Sequence, residues 1–353
     1  MYTMRVKPFL NLVGDRLHAL PILVLYLTDG CNSKCVMCDI WRSPRRNMDM
    51  ALVQSLVEAV PRLGIRWVVL SGGEAMQHPQ WAQIGRMFKQ AGAYVMLLTN
   101  GLLLQRDAAL AAESVDEVIV SLDAGTPATY RAIRGVDAFA LVLDGMRAVG
   151  RTGVPVVTRT TVQRLNFREV PAIIEQAGAA GASRVSFLPV DAHSPEAFGM
   201  RSIEDAVAAN RMLLDAAEVE QLEALLHSLP IRFAEAFASG LLAESPRKLL
   251  GLVDYFRARL GQGALERPRC NAPHVSAVVE VDGRLRPCYF LPVWGKLDGR
   301  DLRNALNDDD ALALRRAYRK GERSECEGCV CSLYKGPRAL FQMYSAGTRD
   351  ARA

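Results

Sequence analysis

The sequence predicts an α/β fold, a parallel sheet covered by helices and followed by a smaller module built around cysteines. Three observations carry this expectation. Between Pro21 and about Asp191, short β-branched runs alternate with longer amphipathic segments. The runs are nearly continuous in hydrophobicity, as strands buried on both faces are. The eight cysteines fall into two groups, with none between Cys38 and Cys270. At 353 residues the chain exceeds what one hydrophobic core usually serves, so a large domain with a companion is expected.

Candidate strands are 22–28, 66–71, 94–99, 117–122, 156–162 and 184–188. Helical spacing of apolar residues marks 50–60, 81–91, 107–112, 138–149 and 170–180 between them. Strands that alternate with helices imply either a barrel or an open doubly wound sheet, with the chemistry at the C-terminal ends of the strands. Those ends are unusual. The first four are followed by Asp29-Gly30-Cys31, Gly72-Gly73-Glu74, Asn100-Gly101 and Asp123-Ala124-Gly125. Glycines there allow close backbone approach to a ligand, and polar residues there face one mouth.

The domain boundaries expected are an N-terminal extension over 1–20, the strand and helix domain over 21–192, a helical connector over 193–267, a cysteine module over 268–335 and a tail over 336–353. In the module, Asn271 to Val281, with the run Val275 to Val281 inside it, alternates as a half-buried strand, Asp282-Gly283 is a strong hairpin turn and 284–290 returns as the partner. A helix is expected near 311–319.

Composition narrows the function. With 50% hydrophobic and 23% charged residues the chain is neither disordered nor collagen-like. Its 43 basic and 38 acidic residues leave no polybasic footprint, so no nucleic-acid partner is expected. Apolar runs such as 22–27 are far shorter than the roughly 20 residues of a membrane span. Lys7, Asp15, Arg16 and His18 interrupt the start of the chain, against an export signal. A cytoplasmic location follows, where clustered thiols serve as metal or cluster ligands more than as disulfides.

Cys31, Cys35 and Cys38 supply three thiolates at a spacing that wraps the corners of an iron–sulfur cube and leaves one iron open. A structural zinc site wants four ligands, and no fourth lies nearby. At this point the chain resembles the radical S-adenosylmethionine (SAM) enzymes, whose Cys-x3-Cys-x2-Cys signature follows the first strand of a partial (β/α)6 TIM-like barrel. Ser71-Gly72-Gly73-Glu74 resembles that family's Gly-Gly-Glu motif, which receives the methionine amino group. By the same resemblance Asn100, Ser121 and Asp123 are ribose and carboxylate contacts, Arg159 pairs with the methionyl carboxylate, and Met37 and Leu188 pack against adenine. Position 37 is commonly aromatic in the family, and position 75, here Ala75, is often proline. The resemblance implies a [4Fe-4S] cluster on three cysteines with exchangeable SAM, an electron donor such as flavodoxin or ferredoxin, and hydrogen abstraction by a 5′-deoxyadenosyl radical.

Cys270, Cys288, Cys326 and Cys329 form a second set, with Cys331 two positions beyond. On spacing alone a zinc ribbon and an iron–sulfur cluster both fit. The Cys-x17-Cys and Cys-x2-Cys pattern resembles the auxiliary modules called twitch and SPASM, and five cysteines imply one auxiliary [4Fe-4S] cluster. Cys331 either replaces Cys329 or stands free. Asn271, His274 and Tyr334 are neighbours of this set. A small α+β auxiliary-cluster module is therefore expected after the barrel.

Oxidation or rearrangement of a small metabolite or natural-product intermediate is the function expected first. Modification of a ribosomal peptide or protein side chain is the alternative, although the thirty residues before Cys31 are too few for a leader-binding domain. A noncatalytic zinc or iron–sulfur module is the reading from another class. Asp191 and His193, after the sixth strand, are the candidates for substrate contact or proton transfer.

Overall fold

The computed structural model describes residues 2–194, 197–199 and 210–345. Parts of the expected connector and of the C-terminal tail lie outside them. Six parallel strands appear in chain order: β1 (Ile22–Thr28), β2 (Trp67–Gly72), β3 (Tyr94–Thr99), β4 (Glu117–Ser121), β5 (Val156–Val162) and β6 (Arg184–Pro189). Each neighbours the next in the sheet. The sheet is uncurled and unclosed, and the arrangement is that of a partial TIM-like barrel.

The helices that separate these strands are α2 (Met50–Leu63), α3 (Trp81–Gln90), α4 (Leu104–Ser114), α5 (Pro127–Arg134), α6 (Phe139–Gly150) and α7 (Val170–Ala179), after an N-terminal α1 (Tyr2–Leu10). Local chemistry sets their ends. Asp49 caps α2 by accepting from the Ala51 N–H, and Gly64 ends it at φ +65°. Helix α5 has no counterpart among the sequence expectations. Thr126 caps it, Pro127 opens it and Gly135 closes it at φ +68°.

The C-terminal part does not stand apart from this sheet. Strand β7 (Ser276–Val279) lies parallel along the free side of β1, with Ile22 opposite Ser276 and Leu25 opposite Val279. Short β8 (Arg284–Arg286) and β9 (Gly295–Lys296) follow antiparallel, giving nine strands in the order β6-β5-β4-β3-β2-β1-β7-β8-β9. The hairpin is shorter than the alternation suggested. Beyond Arg286 the chain turns away to carry Cys288 into the module.

Alternation along β1 divides the core. Leu23, Leu25 and Leu27 enter the main core under the helices. Ile22 and Val24 pack on the other face with Val278, Leu340, Met343 and Tyr344. The last three belong to α14 (Pro337–Ser345), a helix within the expected tail. The connector is helical, with α8 (Ala216–Arg232), α9 (Ala234–Ala238) and α10 (Pro246–Arg259). The Tyr255 hydroxyl of α10 donates to the Val190 carbonyl at 2.8 Å, fixing this helix beside the end of β6.

The module holds α11 (Ala272–Val275), α12 (Leu302–Ala305) and α13 (Asp309–Lys320). Arg315 of α13 is fully buried and donates to the carbonyls of Pro273, Asp15 and Leu306. A buried guanidinium needs such acceptors, and here they tie the N-terminal extension to the module. Among the described residues no helix is long and apolar enough to cross a membrane.

Candidate active site

The ends of β1 and β2 are pressed together by glycine. The Gly73 N–H donates to the Thr28 carbonyl at 2.7 Å, and the Glu74 N–H to the Gly30 carbonyl at 2.8 Å. Gly72 has φ +121°, and a Cβ there would lie 2.4 Å from the Thr28 oxygen; at Gly73 it would lie 2.4 Å from the Gly30 oxygen. No side chain fits at either position. The contact brings the cysteine loop beside the second strand end.

These strand ends border a cavity of about 230 Å³. Cys31, Cys35, Cys38 and Met37 line it from the loop, and Ser71, Gly72, Gly73, Asn100, Ser121, Arg159, Leu188 and Asp191 line it from the strand ends. Burial pushes the Cys31 thiol up to about 11 and the Cys38 thiol up to about 12. Thiols such as Cys31 and Cys38 are costly as free thiolates there, and a cationic cluster removes that cost. Among the described residues no three Cys, His, Asp or Glu groups converge on a single-ion position.

Three site residues expected from sequence lie elsewhere. Glu74 is buried behind the glycines and does not line the cavity. Its carboxylate accepts from the Asn100 N–H at 2.7 Å, the Thr99 hydroxyl at 2.9 Å and the Met76 N–H at 3.1 Å. Burial raises its pKa, and these donors pull in the opposite direction. With its acceptors engaged, Glu74 braces the end of β2 against the end of β3. Asp123 is also buried outside the cavity lining. It pairs with Arg134 at 2.8 Å and accepts from the Thr161 N–H at 2.7 Å. His193 is exposed and outside the cavity; its N–H donates to the Asp191 carboxylate at 3.2 Å.

Residues that sequence reading missed also line the cavity. They are Tyr289, Phe290 and Val330 of the module, beside the already singled-out Cys331. Tyr289 stacks on Tyr26 of β1, ring centroids 5.9 Å apart, and burial raises the Tyr289 hydroxyl to about 12. Tyr289 follows Cys288 directly, so the hairpin that delivers the cysteine also delivers the aromatic wall. Arg134, the last residue of α5, lines the cavity as well. Its only sequence signal is a shared helix face with Tyr130 and Ile133.

The five C-terminal cysteines line one small cavity, with Tyr318, Phe290 and Leu291. Burial raises Cys288 to about 12 and also raises Cys326 and Cys329. Cys270 sulfur accepts the N–H groups of Ala272 and Leu333 at 3.4 Å each. Asn271 pairs with the main chain of Lys335, and the Tyr334 hydroxyl accepts from Arg269. Both hold the cysteine segments in register. Cys331 lines the first cavity too, and a third of about 660 Å³ that Leu188, Arg159, Glu244, Lys248 and Asp254 also border.

Residues 25–177 match the Radical SAM superfamily. The chain is 32% identical over 162 residues to "AdoMet-dependent heme synthase" of Methanosarcina barkeri, covering 44% of this chain and 46% of that protein. With "Probable GTP 3',8-cyclase" of Saccharolobus solfataricus it shares 27% identity over 274 residues, 76% of this chain and 82% of that one. The chain spans about half the length of several other curated relatives it matches, 56% in each of the cyclases from Saccharolobus islandicus. Among solved structures, Streptococcus suis SuiB bound to precursor peptide SuiA has the same fold at 12% identity, with a TM-score of 0.65 over 99% of this chain and 77% of that one.

Proposed function

We propose that this chain, a radical SAM enzyme, cleaves SAM reductively and oxidises or rearranges a small metabolite or natural-product intermediate beneath the roof formed by its C-terminal module. One observation carries the reading. The space bordered by Cys31, Cys35 and Cys38 is also lined by module residues that adjoin the second cysteine set.

Cys31, Cys35 and Cys38 hold the first [4Fe-4S] cluster. With SAM bound, that cluster supplies a 5′-deoxyadenosyl radical for abstraction of hydrogen from a C–H bond. The chain's own work is to bind, orient and exclude water. Gly72 and Gly73 present main-chain carbonyls to the ammonium group of SAM, and Glu74 braces the strand ends that carry them. Asn100 and Ser121 offer polar contacts to the ribose, Arg159 offers a cation to the carboxylate, and Met37 and Leu188 offer apolar surface to adenine. Asp191 faces the same cavity, and we assign it to substrate contact.

Cys270, Cys288, Cys326 and Cys329 hold one auxiliary [4Fe-4S] cluster, an acceptor for an electron from the substrate. Cys331 stays free and faces Arg159. The domain limits that go with this reading are 21–192 for the SAM-binding part and 268–335 for the module. An electron donor such as flavodoxin or ferredoxin reduces the first cluster.

A peptide substrate is the second reading. The larger cavity beside β6 favours it, being roomy and bordered by both charges. Anaerobic reconstitution tests the proposal. The protein is expected to be brown, to carry roughly eight irons per chain and to yield 5′-deoxyadenosine from SAM and reductant. Cys35→Ala is expected to abolish that product, whereas Cys270→Ala retains SAM cleavage and loses substrate oxidation. A fully loaded protein that leaves SAM intact overturns the reading.

A further inference from the structure

We infer that Arg134 is a positioning residue for the first cysteine group, holding Cys35 and setting a fixed positive charge against the cluster that Cys35 helps to bind. This inference rests on the assignment of Cys31, Cys35 and Cys38 as cluster ligands.

The two arms of the guanidinium have different partners. Nη2 meets the Asp123 carboxylate at 2.8 Å, and Nη1 donates to the Cys35 sulfur at 3.3 Å. Both side chains are buried, Asp123 almost completely. A buried arginine is tolerated where its charge is paired. Asp123 supplies that pairing and is itself fixed by the Thr161 N–H. The arm on Cys35 is therefore additional to what charge neutralisation requires, and it points at a ligand sulfur.

The main chain of the same turn holds the cysteine loop. The Arg134 carbonyl accepts from the Lys34 N–H at 3.1 Å and from the Ser33 hydroxyl at 2.8 Å, and the Ile133 carbonyl accepts from the Val36 N–H at 2.9 Å. Helix C-terminal carbonyls lack partners within their own helix, and here the loop supplies them. Gly135, at φ +68°, lets the chain leave at once, since a Cβ there would sit 2.6 Å from the Lys34 oxygen. One helix end thus sets the path of the loop on both sides of Cys35 and delivers the cation to its sulfur.

Hydrogen bonds to ligand sulfurs and net charge nearby set the potential of an iron–sulfur cluster. Reduction adds negative charge, so a guanidinium at Cys35 favours the reduced state. Its loss shifts the midpoint to more negative values.

The test uses the full chain, reconstituted anaerobically, with Arg134→Gln and Arg134→Lys. Iron and sulfide content is measured first, then the midpoint of the electron-spin signal that SAM addition perturbs. Wild type is expected to load and to show that signal. In Arg134→Gln the ratio of reduced to oxidised cluster at fixed poise is expected to fall about tenfold, about 59 mV for one electron. Arg134→Lys shifts less, because the charge stays while the fork is lost. A loaded Arg134→Gln protein with the wild-type midpoint overturns the inference. If Arg134→Gln takes up no iron, Arg134→Met, which keeps the length of the side chain without its charge, decides, and a wild-type midpoint there overturns it. A wild-type chain that binds no iron on the first three cysteines is a different result, the failure of the ligand assignment itself.

Discussion

Arg159 of β5 and Cys331 of the C-terminal loop meet across the seam between strand ends and module, guanidinium Nη2 3.6 Å from the sulfur. Both residues line the cavity beside the first three cysteines and the larger cavity next to it. Cys331 also borders the small cavity shared by the other four C-terminal cysteines. A cation from the barrel thus faces this thiol.

The proposed assignment of Cys329 to the auxiliary set, with Cys331 left to face Arg159, predicts different iron contents for the two cysteine variants. If Cys329 completes the auxiliary set, Cys329→Ser loses about four of roughly eight irons, whereas Cys331→Ser keeps them. Iron and sulfide analysis after anaerobic reconstitution reads the difference. Loss of iron from Cys331→Ser with full loading of Cys329→Ser would reverse the assignment.

The paired glycines yield a second prediction. Gly72→Ala and Gly73→Ala each place a methyl group 2.4 Å from a main-chain oxygen that flanks the cysteine loop. Strand ends must separate to admit it. Either variant is expected to lose several kcal/mol of stability, as overpacking against rigid backbone does, and to bind SAM at least tenfold more weakly. Thermal melting of the apo chain and SAM binding to the reconstituted chain check the two effects independently. Wild-type stability in both variants would show that the close approach is relaxed in solution.

The limits of sequence reading have the same physical origin as these contacts. Strands 22–28, 94–99 and 156–162 were legible because their hydrophobic runs are local. Helix α5 was not, being eight residues long, with a buried face of only Tyr130, Ile133 and Arg134. A charged residue at a helix end reads as solvated, and nothing local in the sequence announces that Arg134 turns inward to Cys35. Pairing of β7 with β1 joins segments some 250 residues apart, and parallel neighbours leave no turn between them to read. The cysteine groups and the Gly-Gly-Glu segment were legible as motifs, yet the part played by Glu74 depends on Thr99 and Asn100, which the fold alone brings to it.

Glu74 gives a third prediction. Its carboxylate accepts from three groups on two segments, so Glu74→Gln turns an acceptor into an amide that faces a main-chain N–H. Leaving a buried donor unsatisfied costs about 1–3 kcal/mol. Chemical denaturation of Glu74→Gln is expected to show that loss, with SAM binding weakened only as far as the strand ends loosen. A variant of full stability that fails to bind SAM would instead restore Glu74 to direct contact with the ammonium group.

The last prediction concerns pH and a histidine outside the cavity that the first three cysteines line. His274 is buried in the module, where its Nε2 lies 3.1 Å from Arg319 Nη2. Arg315 also raises the cost of a positive ring, Asp15 at 4.0 Å partly offsets it, and the Tyr318 ring packs alongside. Burial, then these two arginines, lower the pKa to about 4 from its ordinary 6.5. With Nε2 accepting from Arg319, the neutral ring is the form the fold requires. Between those two pH values the unfolded chain binds a proton that the folded chain does not, so stability rises with pH there. The contribution is complete above pH 6.5 and is lost as pH falls toward 4. At pH 5 the loss relative to pH 7 is roughly 2 kcal/mol, from 1.36 kcal/mol per pKa unit. His274→Gln keeps an acceptor for Arg319 without titrating. Denaturation of both proteins at the two pH values isolates the histidine from carboxylates common to both. Equal pH dependence in wild type and His274→Gln would mean that His274 titrates normally in the folded chain.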